Sequence, residues 1–416
     1  MDADTALTPS QESPGEPVQP VRAGWIVRFS MAWVGLFAGL FGAIQVLLPM
    51  QAETFAGRGK EGALALVLGL GAAASLVANP VFGAISDRTT SRFGRRVPWV
   101  VAGFLGGAVG LVVLAGAGSI AIMIVGWCMV QIALNAAYAA LSATIPDEVP
   151  VRQRGTAAGW SGLALIIGVG VGTGLANLDD AVSAGYLGCA AFLLVTGLPY
   201  ALSRQRPATV ALPPIGWRRF LAGFWIDPRR HPDFGWAWFT RFLVNLGNSI
   251  ALLYLFYFLA DSVHVADPKV AVTIATGVNL AAVLVSTMAA GIASDRLGRR
   301  RVFVCGGALL MAAAAVLMAC WPTWQGVVVA AVLLGLGFGT YSAVDLALLT
   351  QVLPTAADRA RDLGVLNIAS SLPQVVAPVV AGALVTGAGG YPLLYTVAAV
   401  VGVIGAVLVY RIRSVR

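Results

Sequence analysis

The sequence predicts an all-α membrane protein of twelve transmembrane helices in two pseudo-symmetric six-helix bundles. Three observations carry this. The 416 residues are 58% hydrophobic and only 11% charged, whereas a soluble domain carries roughly 25% charged residues. The apolar residues gather into runs near the ~20 residues that a helix needs to cross a bilayer. One charged phrase also occurs twice, as "GAISDRTTSRFGRR" from Gly83 to Arg96 and as "GIASDRLGRR" from Gly291 to Arg300.

Residues 1–23 are polar and include Asp2, Asp4, Glu12 and Glu16. They lack the basic start of a signal peptide and read as a disordered cytoplasmic tail. Six spans follow within 24–203, at 24–49, 62–85, 98–117, 119–145, 155–177 and 182–203. The linker 204–234 places Trp217, Phe220, Leu221, Phe224 and Trp225 at helical spacing beside Arg218 and Arg219. That stripe predicts a short helix lying in the inner interface. The second bundle, 235–416, holds spans at 235–260, 268–293, 302–320, 322–352, 363–386 and 391–411.

Charge sets the orientation. With both termini cytoplasmic, only Arg58, Lys60 and Lys269 fall in outer loops, and the other basic residues lie on or near the inner side. The net charge of +8 is therefore spread over membrane loops, and no nucleic-acid partner is expected. A multi-pass place in the cell's inner (plasma) membrane is expected, with the bilayer as partner and the chain a monomer. Cys128, Cys189, Cys305 and Cys320 sit in apolar runs without metal spacing, and His231 and His264 lie apart. No metal, disulfide or cofactor is expected. No GxxxxGK[ST] sequence occurs, so neither ATP-driven pumping nor an enzyme is indicated.

Polar residues inside spans are costly and are functional candidates by default. On the fourth span, Gln131, Asn135 and Tyr138 share one face. On the seventh, Arg241, Asn245 and Asn248 repeat that spacing, with Tyr254 and Tyr257 beyond. Tyr341 and Asp345 share a face of the tenth, and Trp33, Phe37, Phe41 and Gln45 share one of the first. The eleventh carries Asn367 and Gln374 among Pro373 and Pro378. Asp345 is the one acid deep in a span, and its depth matches that of Arg241. An ion pair that binds protons is expected there; a permanent structural salt bridge is the plain alternative. Interhelical bonding is the equally plain alternative for each amide. Gly168, Gly170, Gly172 and Gly174 on the fifth span suit close helix packing.

Asp87 aligns with Asp295 at an offset of 208 residues, and Gly94-Arg95-Arg96 with Gly298-Arg299-Arg300 at 204. Each copy joins the second and third helix of its half, and two repeated halves suit a transporter. The double motif resembles the major facilitator superfamily, whose signature after the second helix is G-x-x-x-D-R-x-G-R-[KR], with a weaker copy after the eighth. "IPDEVPVRQRG", from Ile145 to Gly155, is similar to the loop after the fourth helix in many bacterial members. The long first copy looks most like carriers of the plant sucrose type and the glycoside–pentoside–hexuronide cation symporters. The resemblance implies a central cavity lined by the first, fourth, seventh and tenth helices, with a small-molecule substrate and protons as partners. The chain departs from the sugar carriers in lacking acidic residues in its first, second and fourth helices. It departs from drug/proton antiporters in lacking a Gly-Pro element in its fifth.

The motif has its own physics. The second helix ends near Asp87, where the negative end of its dipole favours Arg88, Arg92, Arg95 and Arg96 but repels the aspartate. Asp87 therefore needs a positive partner, and the amino end of the eleventh helix is one candidate. Asp295 meets the same need at the fifth helix, with Arg154. Gly83, Asp87, Arg88, Gly94, Arg95 and Arg96, with Arg154, Asp295, Arg296 and Arg299, are thus expected to form an inner gate. The plain alternative is a signal that only sets topology. Three functions stay open: proton-coupled carriage of a small neutral or weakly polar solute such as a sugar, export of hydrophobic compounds, and a non-transporting receptor or lipid-handling protein on the same fold.

Overall fold

A computed structural model describes residues 19–178, 181–203, 231–349, 359–387 and 389–412. The first span is α1 (Ala23–Gly42), which passes through a π turn at Ala43–Leu47 into α2 (Leu48–Ala56). The rest of the first half is α3 (Lys60–Arg88), α4 (Val97–Ala115), α5 (Ile120–Glu148), α6 (Val151–Leu175) and α7 (Val182–Gly197). The second half begins with α8 (Pro232–Leu253) and α9 (Leu255–Asp261), bent by 41° at Tyr254. It continues with α10 (Pro268–Leu297), α11 (Arg300–Cys320), α12 (Trp324–Leu349), α13 (Arg359–Thr386) and α14 (Gly390–Leu408). No strand occurs among the described residues.

Among the described residues, ten helical runs are long and apolar enough to cross a membrane, and the bent pair α8–α9 makes eleven. The first run holds 66 residues, from Ala23 to Arg88. At 1.5 Å per residue that is about 100 Å, more than three bilayer cores. It turns back at Gly57, whose φ of 52° suits glycine, and α2 packs against α3. It is therefore two spans, which brings those among the described residues to twelve.

Local sequence explains the ends. Ser119 caps α5 by accepting from the Ile122 N–H, and Asp267 caps α10 by accepting from Lys269 and Val270. Pro232 and Pro268 open their helices, where no backbone N–H is needed. Two boundaries differ from expectation. The first span runs past residue 49 to Ala56, because the π turn absorbs a change of register instead of ending the helix. The seventh is broken at Tyr254 rather than continuous. The interfacial helix expected in the linker and the tail before residue 19 lie outside the described residues.

The packing repeats between halves. In the first, the neighbouring pairs are α1–α6, α1–α7, α4–α7, α4–α5 and α3–α5. In the second, they are α8–α13, α8–α14, α11–α14, α11–α12 and α10–α12. Span for span, the two lists are the same. With lipid outside, such contacts rest on close approach of small residues. A Cβ on Gly172 would lie 2.4 Å from the Ala38 carbonyl oxygen, and one on Gly42 2.5 Å from that of Gly172. Gly170 and Gly174 have open space instead. Only two of the four α6 glycines, Gly168 and Gly172, therefore serve the contact with α1.

Candidate functional site

On the inner side, the positive partner of Asp87 is Arg96. Its guanidinium bonds the Asp87 carboxylate at 2.6 Å, Asp147 at 2.7 Å and the Ser86 hydroxyl at 2.9 Å. Burial alone would lower the Arg96 pKa, but Asp147 and Asp87 more than offset this and hold it raised. The loop turns back through Gly94, at φ 92°, and Trp99 donates to Thr89 at 2.7 Å. The threonine belongs to the extra stretch of the first copy, so that stretch helps to pin the loop. In the second copy, Gly298 takes the matching left-handed turn, at φ 64°. Both motif glycines are thus conformational requirements.

These contacts bear on the expected inner gate. Asp87 is bound within its own half by Arg96, which the loop delivers beneath the end of α3, and the side chains at the amino end of α13 lie outside the described residues. Arg154 donates to the Val149 and Pro146 carbonyls of its own half. Arg88 donates to Ala84 one turn back. Arg95 is half-buried, and Arg296 and Arg299 are exposed. Gly83 approaches α5, where its Cβ would stand 3.9 Å from that of Ala139. The Asp295 side chain lies outside the described residues.

At mid-depth in the second half, Arg241 of α8 pairs with Asp345 of α12, and its Nε donates to Ser370 of α13 at 2.6 Å. Their side chains are 19% and 8% exposed, respectively. Asn245 donates to the Arg241 carbonyl at 2.8 Å. The Tyr341 hydroxyl is buried one turn from Asp345. In the first half, Asn79 of α3 donates to Asn135 at 3.4 Å, and Asn135 donates to the Gln131 side-chain oxygen at 3.1 Å. Tyr138 is 36% exposed and stands edge-on to Trp33, with centroids 4.9 Å apart. Trp33 is buried beneath Tyr138 and Phe37, which stacks on it at 5.4 Å, and Phe41 follows along α1.

Three more of the expected lining residues take other contacts in this structure. Asn248 borders an enclosed void of about 10 Å³ between α8, α11, α12 and α14. Gln45 accepts from Thr276 of α10 at 2.8 Å, and the Tyr254 hydroxyl donates to the Glu61 carbonyl at 2.8 Å. Both bonds join the halves on the outer side, because the π turn and the break at Tyr254 redirect those outer ends. Gln374 is exposed, and the Asn367 side chain lies outside the described residues.

The outer junction was not anticipated. The Lys60 ammonium lies 2.9 Å from both Glu53 and Asp261, and 4.7 Å from the centre of the Tyr257 ring. Tyr257 donates to the Pro49 carbonyl at 2.8 Å, Tyr391 to Asp261 at 2.8 Å, and Asn177 to Thr273 at 2.7 Å. α3 also packs on α13, where a Cβ on Gly382 would meet that of Ala65 at 2.9 Å. The outer side is therefore closed. A 460 Å³ cleft lies outside it, walled by Glu53, Thr54, Phe256, Asp267 and Lys269. Ser370 and Asn79 were also missed. Asn79 obeys the rule for polar residues in spans, whereas a serine on α13 gives no distinctive signal.

Two repeated six-helix halves, joined at the outer side and holding an internal ion pair, define a multi-pass membrane transporter. The family profile described as Major Facilitator Superfamily matches residues 31–274 and 238–416, and the chain belongs to that family. It is a transporter and not an enzyme. Among solved structures, it is similar to a bacterial homolog of the human lysosomal transporter Spinster, described as inward-facing and unoccupied. The identity is 14%, with 93% of this chain and 94% of that one covered, at a TM-score of 0.68. It is also similar to a POT family transporter in complex with a thioalcohol-conjugated peptide, at 12% identity, 93% and 95% coverage and a TM-score of 0.74. At these identities the likeness concerns the fold. No curated protein matches the sequence significantly.

Proposed function

We propose that this chain is a secondary active transporter of a small neutral or weakly polar organic solute, working by alternating access and coupled to protons. Sugars are the first class to screen, on the resemblance of the long inner motif. The Arg241–Asp345 pair carries the reading. It joins α8 and α12, the seventh and tenth spans, and the two charges cancel. The polar groups left to meet a solute are then the amides of Asn79, Gln131, Asn135 and Asn245, the tyrosines Tyr138 and Tyr341, and Ser370. Such groups suit hydroxyls and carbonyls better than an ion. A proton reaching Asp345 would release Arg241, and a change of partners within the second half is the kind of event that biases a two-state packing.

The test is solute-driven proton movement in proteoliposomes carrying a pH-sensitive dye. The intact protein should acidify or alkalinise the lumen when its solute is added. Asp345→Asn should abolish gradient-driven uptake and spare solute exchange. Gradient-driven uptake that survives in Asp345→Asn would make the pair a fixed strut and end the coupling assignment.

A further inference from the structure

Lys60 sits where the two halves meet face to face. Tyr257 and Pro49 are bonded to each other and stand 208 residues apart, the offset that aligns Asp87 with Asp295. Glu53 and Asp261 stand at the same offset. Residues that are each other's repeat equivalents touch only along the pseudo-two-fold axis relating the halves, as in an isologous dimer contact. The outer tips α2 and α9 therefore meet on that axis. Lys60 places its ammonium 2.9 Å from each of the two equivalent carboxylates, over the ring of Tyr257. Its side chain is 11% exposed. Lys60 follows Glu53 in the first half, so the bond to Asp261 crosses between halves and the bond to Glu53 does not.

From this geometry we infer that Lys60 is the lock of the outer gate, a positioning residue that holds the equivalent carboxylates Glu53 and Asp261 together across the axis. With the ammonium in place, two negative tips are drawn to one cation. Without it, two carboxylates face each other, and like charges at close range repel. Loss of the lysine therefore adds a repulsion to the loss of two attractions. Both tips are set off from their spans at matching points, α2 by the π turn and α9 by the bend at Tyr254, so each can yield without unwinding its helix. Tyr391 holds Asp261 from α14 and Tyr254 holds the Glu61 carbonyl, which supports the lock from neighbouring elements.

The experiment needs no knowledge of the solute, so it stands apart from the proposed coupling and substrate. The four native cysteines are replaced by alanine, and Thr276→Cys, beneath the gate, becomes the reporter in the parent and in every variant, so that the loss of its bond to Gln45 is common to all. A membrane-impermeant maleimide is applied to the outer face of right-side-out vesicles. Lys60→Met should label on the order of tenfold faster than the parent, the scale of two half-exposed ion pairs acting together. Lys60→Arg should stay near the parent rate. Glu53→Gln and Asp261→Asn should each accelerate labelling less than Lys60→Met does. The triple variant Lys60→Met, Glu53→Gln, Asp261→Asn should label more slowly than Lys60→Met alone, because the repulsion is gone. Parent-like labelling of Lys60→Met would overturn the lock, as would a triple variant as fast as Lys60→Met. If Lys60→Met fails to fold, Asp261→Asn alone decides, and parent-like labelling there rejects the inference.

Discussion

Arg241 and Asp345, 104 residues apart, form one ion pair between α8 and α12, and Ser370 of α13 fixes the other side of the guanidinium. Three helices of the second half thus share a single charged joint. Removing one member of a buried pair strands the other, which costs about 3–5 kcal/mol. Asp345→Ala should lower unfolding stability in detergent by about that much. The double variant Arg241→Met, Asp345→Leu should recover most of the loss, because it buries no charge. A double variant as unstable as the single one would show that the pair contributes more than mutual neutralisation.

Arg96 serves two acids, and each acid is partly exposed. Asp87→Asn should therefore cost only about 1 kcal/mol or less. Arg96→Ala should cost more, about 3 kcal/mol, since the buried stem and three hydrogen bonds go together. Thermal unfolding of the two variants side by side tests the order. A reversed order would place the weight of the motif on the aspartate.

The left-handed turn at Gly298 has open space where a Cβ would go, so Gly298→Ala isolates the backbone cost. About 1 kcal/mol of destabilisation is expected, and Gly298→Asn should lose less, because asparagine tolerates that region. Equal losses for the two would show that something other than φ is at stake.

The α6 glycines divide by face. Gly172→Ala should destabilise by about 1–3 kcal/mol by pushing α6 off α1. Gly170→Ala should be neutral, or stabilising by up to about 1 kcal/mol through helix propensity. Unfolding in matched detergent separates them, and similar effects at both sites would remove the assignment of faces.

The fold was legible because two long-range signals are written locally. Apolar run length gives the spans, and the doubled "SDR…GRR" phrase gives the halves. The meeting of Arg241 and Asp345 was legible from depth alone, since two opposite charges at one level of a bilayer have few other partners. The outer junction was not legible. Lys60, Glu53 and Asp261 lie at span ends, where charged residues are ordinary, and their meeting depends on how the halves dock. Gln45 and Tyr254 bond across the halves for a related reason. Helical periodicity extrapolates straight through a π turn or a bend, so residues at those points take a different face. The dipole argument says that Asp87 needs a cation without saying from where, and Arg96 of its own loop supplies one.

The lysine on the axis has a consequence for how the protein varies. Duplication of a six-helix unit yields two of every position, yet two carboxylates that meet on the line of symmetry share a single cation. At the repeat offset, the counterpart of Lys60 is Pro268, so the second unit carries no copy of that amine. Elsewhere, altering both units alike takes two coordinated substitutions. At residue 60, a single codon change is felt equally by both.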